Sequence, residues 1–205
     1  MSNISNLFNE NGPTVASTQR LGYVGSDVRG TMDSRNDDWY TPKEWISFAH
    51  NVLGKIDLDP FSSELANKTV KAGRFFTIED NAFLQTWEAD TVWMNPPYTR
   101  GIANRAIAKF LEEFRMGNFR AGMVLVNNMT DTRWYGQMYQ DDPLFCNIIG
   151  RISFENAAGQ CVSGNTRGQS LFLFANKSSK NAKIKHRFKE LLEAKGQFAC
   201  KWEPA

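Results

Sequence analysis

Thr91-Val92-Trp93-Met94-Asn95-Pro96-Pro97-Tyr98 opens the way into this chain. The first four residues are a short apolar run of strand type. The two prolines then fix two φ angles and remove two N–H donors. Each proline also drives the residue before it out of the helical region. Beyond this stiff, extended turn, Ile102, Ala106, Phe110, Leu111 and Phe114 recur at helical spacing until Gly117. Gly122–Val126 is a second buried apolar strand. Strand, turn, helix, strand is the unit from which parallel sheets are built.

The same alternation extends outward. Thr41-Pro42-Lys43-Glu44 reads as a capping box with proline at the first helical position, and Trp45, Phe48, Ala49 and Val52 continue it to Gly54. Lys55–Asp59 is a short strand stopped by Pro60, and Ser62 or Ser63 caps a helix running to about Ala72. Arg74–Thr77 reads as another strand, and Asp131 or Thr132 caps a helix through Met138. Phe145–Phe154 and Ser170–Ala175 are late strands with only a loop between them, hence a hairpin with one antiparallel strand. A basic helix over roughly Lys183–Ala194 comes last. The expectation is an α/β domain with a mostly parallel sheet and ligands at the carboxyl ends of its strands. Asp59-Pro60-Phe61 and Asn95–Tyr98 both fall at such ends.

The turn can do chemistry. Asn95 adds a side-chain carbonyl beside the backbone carbonyl of Pro96, and two converging acceptors suit an –NH2 group. Tyr98 supplies a flat face on which a planar ring can stack. An exocyclic base amine is a poor nucleophile, because its lone pair is delocalised into the ring. Two acceptors on its hydrogens favour a tetrahedral nitrogen that attacks a sulfonium methyl in line. In a duplex the nucleotide must first be flipped out. The plain alternative is a structural turn. Adenine amines, cytosine amines and glutamine side chains all meet the chemical requirement, and a DNA-binding module without donor binding is the reading from another class.

Composition excludes other chemistries. The chain has 205 residues, 24 Lys+Arg against 22 Asp+Glu, and 41% hydrophobic residues, which describes an ordinary globular domain. No apolar run reaches membrane-spanning length, and the N-terminus lacks a secretory pattern. Cys146, Cys161 and Cys200 are widely spaced and read as reduced cytoplasmic thiols. Only His50 and His186 exist, neither with metal-ligand spacing, so neither a metal nor a histidine-dependent hydrolase is expected.

On these residues the chain resembles the phage-type DNA adenine methyltransferases, the Dam-like family of phages and prophages. The matching segments are Trp39–Pro42, Asp57-Leu58-Asp59, Glu79-Asp80-Asn81 with Trp87, Val92–Tyr98, Thr130–Trp134 and Gly150–Phe154. The resemblance implies a Rossmann-like methyltransferase fold, S-adenosylmethionine as donor and adenine in double-stranded DNA as acceptor. It makes Asn95, Pro96, Pro97 and Tyr98 the catalytic motif. It puts Tyr40, Thr41, Pro42, Asp59, Pro60, Phe61, Glu79 and Asp80 in the donor site. Asp59 as a helix cap, and Glu79 and Asp80 as solvated turn residues, are the plain alternatives. One departure stands out: Ser62-Ser63-Glu64 replace the usual Gly-x-Gly of the donor loop. The interval from Asp59 to Asn95 is also short, so an element of the standard fold is expected to be trimmed.

Three segments follow: a flexible arm over 1–36, or one that Arg20, Arg29 and Arg35 let order on a polyanion, a methyltransferase domain over 37–176 and a basic C-terminal segment over 177–205. Lys177–Lys201 carries eight basic residues against Glu190 and Glu193, a net +6 within a chain whose total is +2. It is either a solvated surface helix or a phosphate-contacting element.

Overall fold

The computed structural model describes residues 39–98, 101–162, 165–193 and 196–199. The arm over 1–36, with Arg20, Arg29 and Arg35, lies outside them, as do Lys195 and Lys201. In order the elements are α1 (Lys43–Leu53), β1 (Leu58–Asp59), α2 (Glu64–Val70), β2 (Arg74–Phe75), β3 (Thr91–Met94), α3 (Ile102–Arg115), β4 (Ala121–Asn127), α4 (Arg133–Met138), β5 (Leu144–Ile148), β6 (Gln169–Ala175), α5 (Ala182–Leu192) and β7 (Gly196–Ala199).

One sheet holds all the strands, in the order β2-β1-β3-β4-β6-β5-β7. The pairs β2–β1, β1–β3 and β3–β4 are parallel. β6 inserts between β4 and β5 and is antiparallel to both. The fold is therefore mixed α/β, with a parallel half and an antiparallel half.

Strand periodicity assigns each face. Trp93, Met123, Leu125, Leu171 and Leu173 pack with Trp45, Phe48 and Val52 of α1 and with Ile184, Phe188 and Leu192 of α5. Val92, Met94, Val124, Val126, Phe172 and Phe174 pack with Ala106, Ile107 and Phe110 of α3 and with Trp134, Tyr135 and Met138 of α4. Both faces are covered, which explains why β3 reads as continuously apolar. Burying each large side chain contributes roughly 1.5–3 kcal/mol. The packing over β4 leaves no room at Gly122. A Cβ there would lie 2.7 Å from Phe110 Cζ and 2.9 Å from Phe119 Cε2. Trp87 and Trp93 are wholly enclosed.

Several boundaries move. α1 begins at Lys43 with Pro42 in the cap position and no side-chain cap, so the capping box at Thr41 does not form. Thr41 is turned toward Asn95 instead. α2 stops at Val70, because Lys71 turns left-handed (φ 53°) and Asn67 Oδ1 takes the Ala72 N–H. β1 and β2 shrink to two residues each. β5 ends at Ile148, since Gly150 (φ 83°) turns the chain away. β7 was not expected at all. It pairs antiparallel with β5 from Ile148↔Gly196 to Phe145↔Ala199. Between β2 and β3 there is only a 3-10 turn, Ala82–Leu84, which accounts for the short interval.

Candidate active site

The carboxyl ends of β1, β3 and β4 lie side by side, bringing Asp59, Asn95 and Asn127 to one edge of the sheet. Asn95 leaves β3 half-buried, with Pro96 buried behind it. Its Nδ2 donates to Thr41 Oγ1 at 3.1 Å. Its Oδ1 is buried and has no hydrogen-bond partner among the described residues. Leaving such an acceptor unmet costs about 1–3 kcal/mol.

Tyr98 is 36% exposed, yet its hydroxyl end is enclosed and accepts the Asn127 N–H at 2.7 Å. Burial of that hydroxyl pushes its pKa well above the usual tyrosine range. The ring borders a cavity of about 400 Å³, lined also by Asn127, Met129, Arg133, Trp134 and Arg167. Gln169 supports the wall from below. It is fully buried and spends its amide on three segments. Its Nε2 donates to Asn127 Oδ1 (3.1 Å) and the Arg167 carbonyl (2.8 Å), and its Oε1 accepts the Ile152 N–H (3.1 Å). Beside it the Ser170 hydroxyl meets Tyr135 (2.7 Å), Asn147 (2.6 Å) and Asn128.

Asp59 ends β1 and is only 3% exposed. Burial pushes its carboxyl up to about 7, against the Phe61 N–H at 3.2 Å, which lowers it. Ser62 lies close enough to lower it slightly, but its buried hydroxyl makes no hydrogen bond of good geometry. Pro60 is buried, and Phe61 packs on Phe83 (5.4 Å) and Trp87 (5.9 Å). Tyr40 forms a two-way backbone bridge with Glu155, both bonds 2.9 Å, and the Pro42 carbonyl accepts the Trp45 N–H at 3.0 Å.

Thr41 and Asn95 thus touch directly, and Asp59 stands on the neighbouring strand. Glu79 and Asp80 follow β2 and are exposed. Asp80 Oδ2 accepts the Thr77 N–H (2.8 Å) and hydroxyl (2.9 Å), which holds its carboxyl below the usual range. Its role visible here is a turn. Sequence reasoning missed Asn127, Arg167 and Gln169. A glutamine at the head of an apolar strand was the available signal, since a buried amide must find partners.

Among the described residues no three His, Cys, Asp or Glu side chains gather as a metal site requires. No helix among them is long and apolar enough to cross a membrane.

The sequence is similar to two phage proteins named DNA N-6-adenine-methyltransferase. That of Escherichia phage T1 is 28% identical over 178 residues, covering 78% of this chain and 71% of the relative. That of Haemophilus phage HP1 is 27% identical over 151 residues, covering 72% and 84%. The family model described as DNA N-6-adenine-methyltransferase (Dam) matches residues 29–199, an interval that contains Thr41, Asp59 and the Asn95–Tyr98 turn. The chain belongs to the DNA N-6-adenine-methyltransferase (Dam) family.

Proposed function

We propose that this chain transfers a methyl group from S-adenosylmethionine to the N6 amine of adenine in double-stranded DNA. The target nucleotide is turned out of the duplex into the cleft before Asn95–Tyr98. On this reading the sheet is a Rossmann-like methyltransferase fold, and the protein works in the cytoplasm, the host's if a phage encodes it.

One observation carries the proposal: the buried Oδ1 of Asn95 has no partner among the described residues, in the same turn whose Tyr98 borders a cavity. A folded chain tolerates such an orphan where a ligand completes it. An adenine amine brings the missing hydrogen. Tyr98 holds the ring by stacking, and Asn127 keeps the tyrosine from swinging. The carbonyl dipoles of the turn favour the pyramidal nitrogen that attacks. Asn95 and the Pro96 carbonyl would hold the amine for in-line attack on the methyl that a bound donor would supply, the donor's S–C bond giving way to the new N–C bond and the amine's proton passing to water.

The residues present fit the donor. Among the described residues Asp59 is a buried carboxylate without a cation, and Ser62 Oγ is buried without a hydrogen-bond partner, so both suit the polar end of an amino-acid-like ligand. Bound there, S-adenosylmethionine supplies a methyl on a positive sulfur. Tyr40, Thr41, Pro42, Pro60 and Phe61 would wall the site, and exposed Glu79 and Asp80 stand on the loop after β2 for the ribose and adenine. Arg133 and Arg167 on the cavity wall are the phosphate contacts we assign.

The test is transfer of tritium from labelled donor to unmethylated DNA, followed by base analysis. Label on N6 of adenine is expected. Asn95→Ala is expected to lower turnover roughly 10²–10³-fold while donor affinity holds. DNA binding without any label sinks the enzyme mechanism. Label on cytosine keeps the chemistry and rejects the base.

A further inference from the structure

The two ends of the Asn95 amide are chemically opposite. Nδ2 can only donate and Oδ1 can only accept. An incoming amine presents hydrogens, so only Oδ1 can meet it. If the amide turned over, donor would face donor. Something must therefore hold the amide in one sense before the substrate arrives.

Among the described residues Thr41 Oγ1 is the atom that anchors the amide, taking Nδ2 at 3.1 Å across 54 residues of sequence. Thr41 is itself held firmly. It is 8% exposed, Tyr40 before it is bridged to Glu155, and the Pro42 carbonyl after it accepts the Trp45 and Ile46 N–H groups at 3.0 and 3.3 Å. Its hydroxyl does not cap α1, which leaves that oxygen for Asn95.

We infer that Thr41 is a positioning residue for methyl transfer: its hydroxyl anchors the Asn95 amide in place before the target amine arrives. Donation from Nδ2 also concentrates negative charge on Oδ1 through the amide, strengthening the acceptor. The inference rests on the reading of Asn95 given above. It also ties the donor-side segment Tyr40–Pro42 to the acceptor-side turn through one hydrogen bond, so a rate effect and a donor-affinity effect can be told apart at this residue.

Thr41→Val keeps the shape and removes the hydroxyl, while Thr41→Ser keeps the hydroxyl. The full chain, loaded with saturating tritiated donor, is mixed with unmethylated duplex DNA, and single-turnover rate, donor dissociation constant and Tm are measured. Thr41→Val is expected to slow transfer roughly 10–100-fold, as loss of a supporting hydrogen bond commonly does. Donor affinity should stay within about twofold, because the hydroxyl acts on Asn95. Thr41→Ser should return the rate to within about threefold of the parent. Thr41→Ala gives the same reading should the valine variant not fold. Three results overturn the inference: a valine rate within about twofold of the parent, a loss confined to donor affinity, or no rescue by serine. An Asn95→Ala variant that keeps near-parent turnover would instead overturn the underlying reading of the turn.

Discussion

Asp59 and Glu113 are the two carboxylates buried among the described residues, and their surroundings differ. Glu113 lies near the end of α3, 2% exposed, where burial alone would raise its pKa. It pairs with Lys109, accepts the Trp87 N–H at 3.1 Å and accepts Asn118 Nδ2 at 2.6 Å. Those partners hold its carboxyl below the usual range. Asp59 has one backbone N–H at 3.2 Å and rises to about 7. A buried charge with its partners in place joins elements, here α3 to the segment leading into β3. A buried charge left short is a place where a ligand can supply what the fold does not. The comparison separates a scaffold carboxylate from a candidate ligand-binding one by chemistry alone.

The largest effect should fall on the scaffold. Glu113→Ala strands Lys109 and two N–H groups, and is expected to cost about 3 kcal/mol, or roughly 6–12 °C in Tm. Methylation by the surviving folded protein should be near normal. Glu113 also contributes stability above the carboxylate range that is lost as the pH falls through its lowered pKa, so the parent's acid sensitivity should diminish in this variant.

Asp59→Asn should behave oppositely. Its folded pKa is raised, so the folded chain keeps a proton that the unfolded chain releases, and stability declines as pH climbs from about 4 to about 7. Removing the charge should therefore raise stability at pH 8, by about 1–3 kcal/mol after relaxation. Donor affinity should drop at least roughly tenfold, since a neutral amide cannot pair with an ammonium group. A thermal melt and a donor titration decide it. Should Asp59→Asn destabilise as much as Glu113→Ala, both carboxylates are scaffold and the contrast collapses.

These differences were only partly legible in the sequence. α1, α3, β3, β4 and β6 announce themselves because each covers or forms a wholly buried face with a clean period. The proline pair marks the candidate catalytic turn because no fold is needed to know what two prolines do to a backbone. β7 escaped because Gly196-Gln197-Phe198-Ala199 has little apolar pattern of its own and gains its form from β5. The capping box misled because Thr41 answers a partner 54 residues away rather than its own helix. Asp59 was visible as a candidate, but nothing local separates it from an ordinary helix cap. Its burial depends on how β1 sits between β2 and β3. Gln169 was likewise readable as polar, but not as the residue joining Asn127, Arg167 and Ile152.

The finest test of the contrast uses no mutation. If Asp59 receives the ammonium group of the donor, binding needs its ionised form, and the free protein must release a proton where that form is scarce. With the carboxyl at about 7, affinity should climb with pH through neutrality and level off above it. Between pH 6 and pH 8 the gain should be about tenfold, since the ionised fraction changes by that factor. Asp59→Asn should flatten the profile, whereas Glu113→Ala should leave it intact, because Glu113 is ionised across the whole range. A parent affinity constant from pH 6 to 8 would mean that Asp59 stays protonated or stays out of the donor's reach, and its rank beside Asn95 would fall.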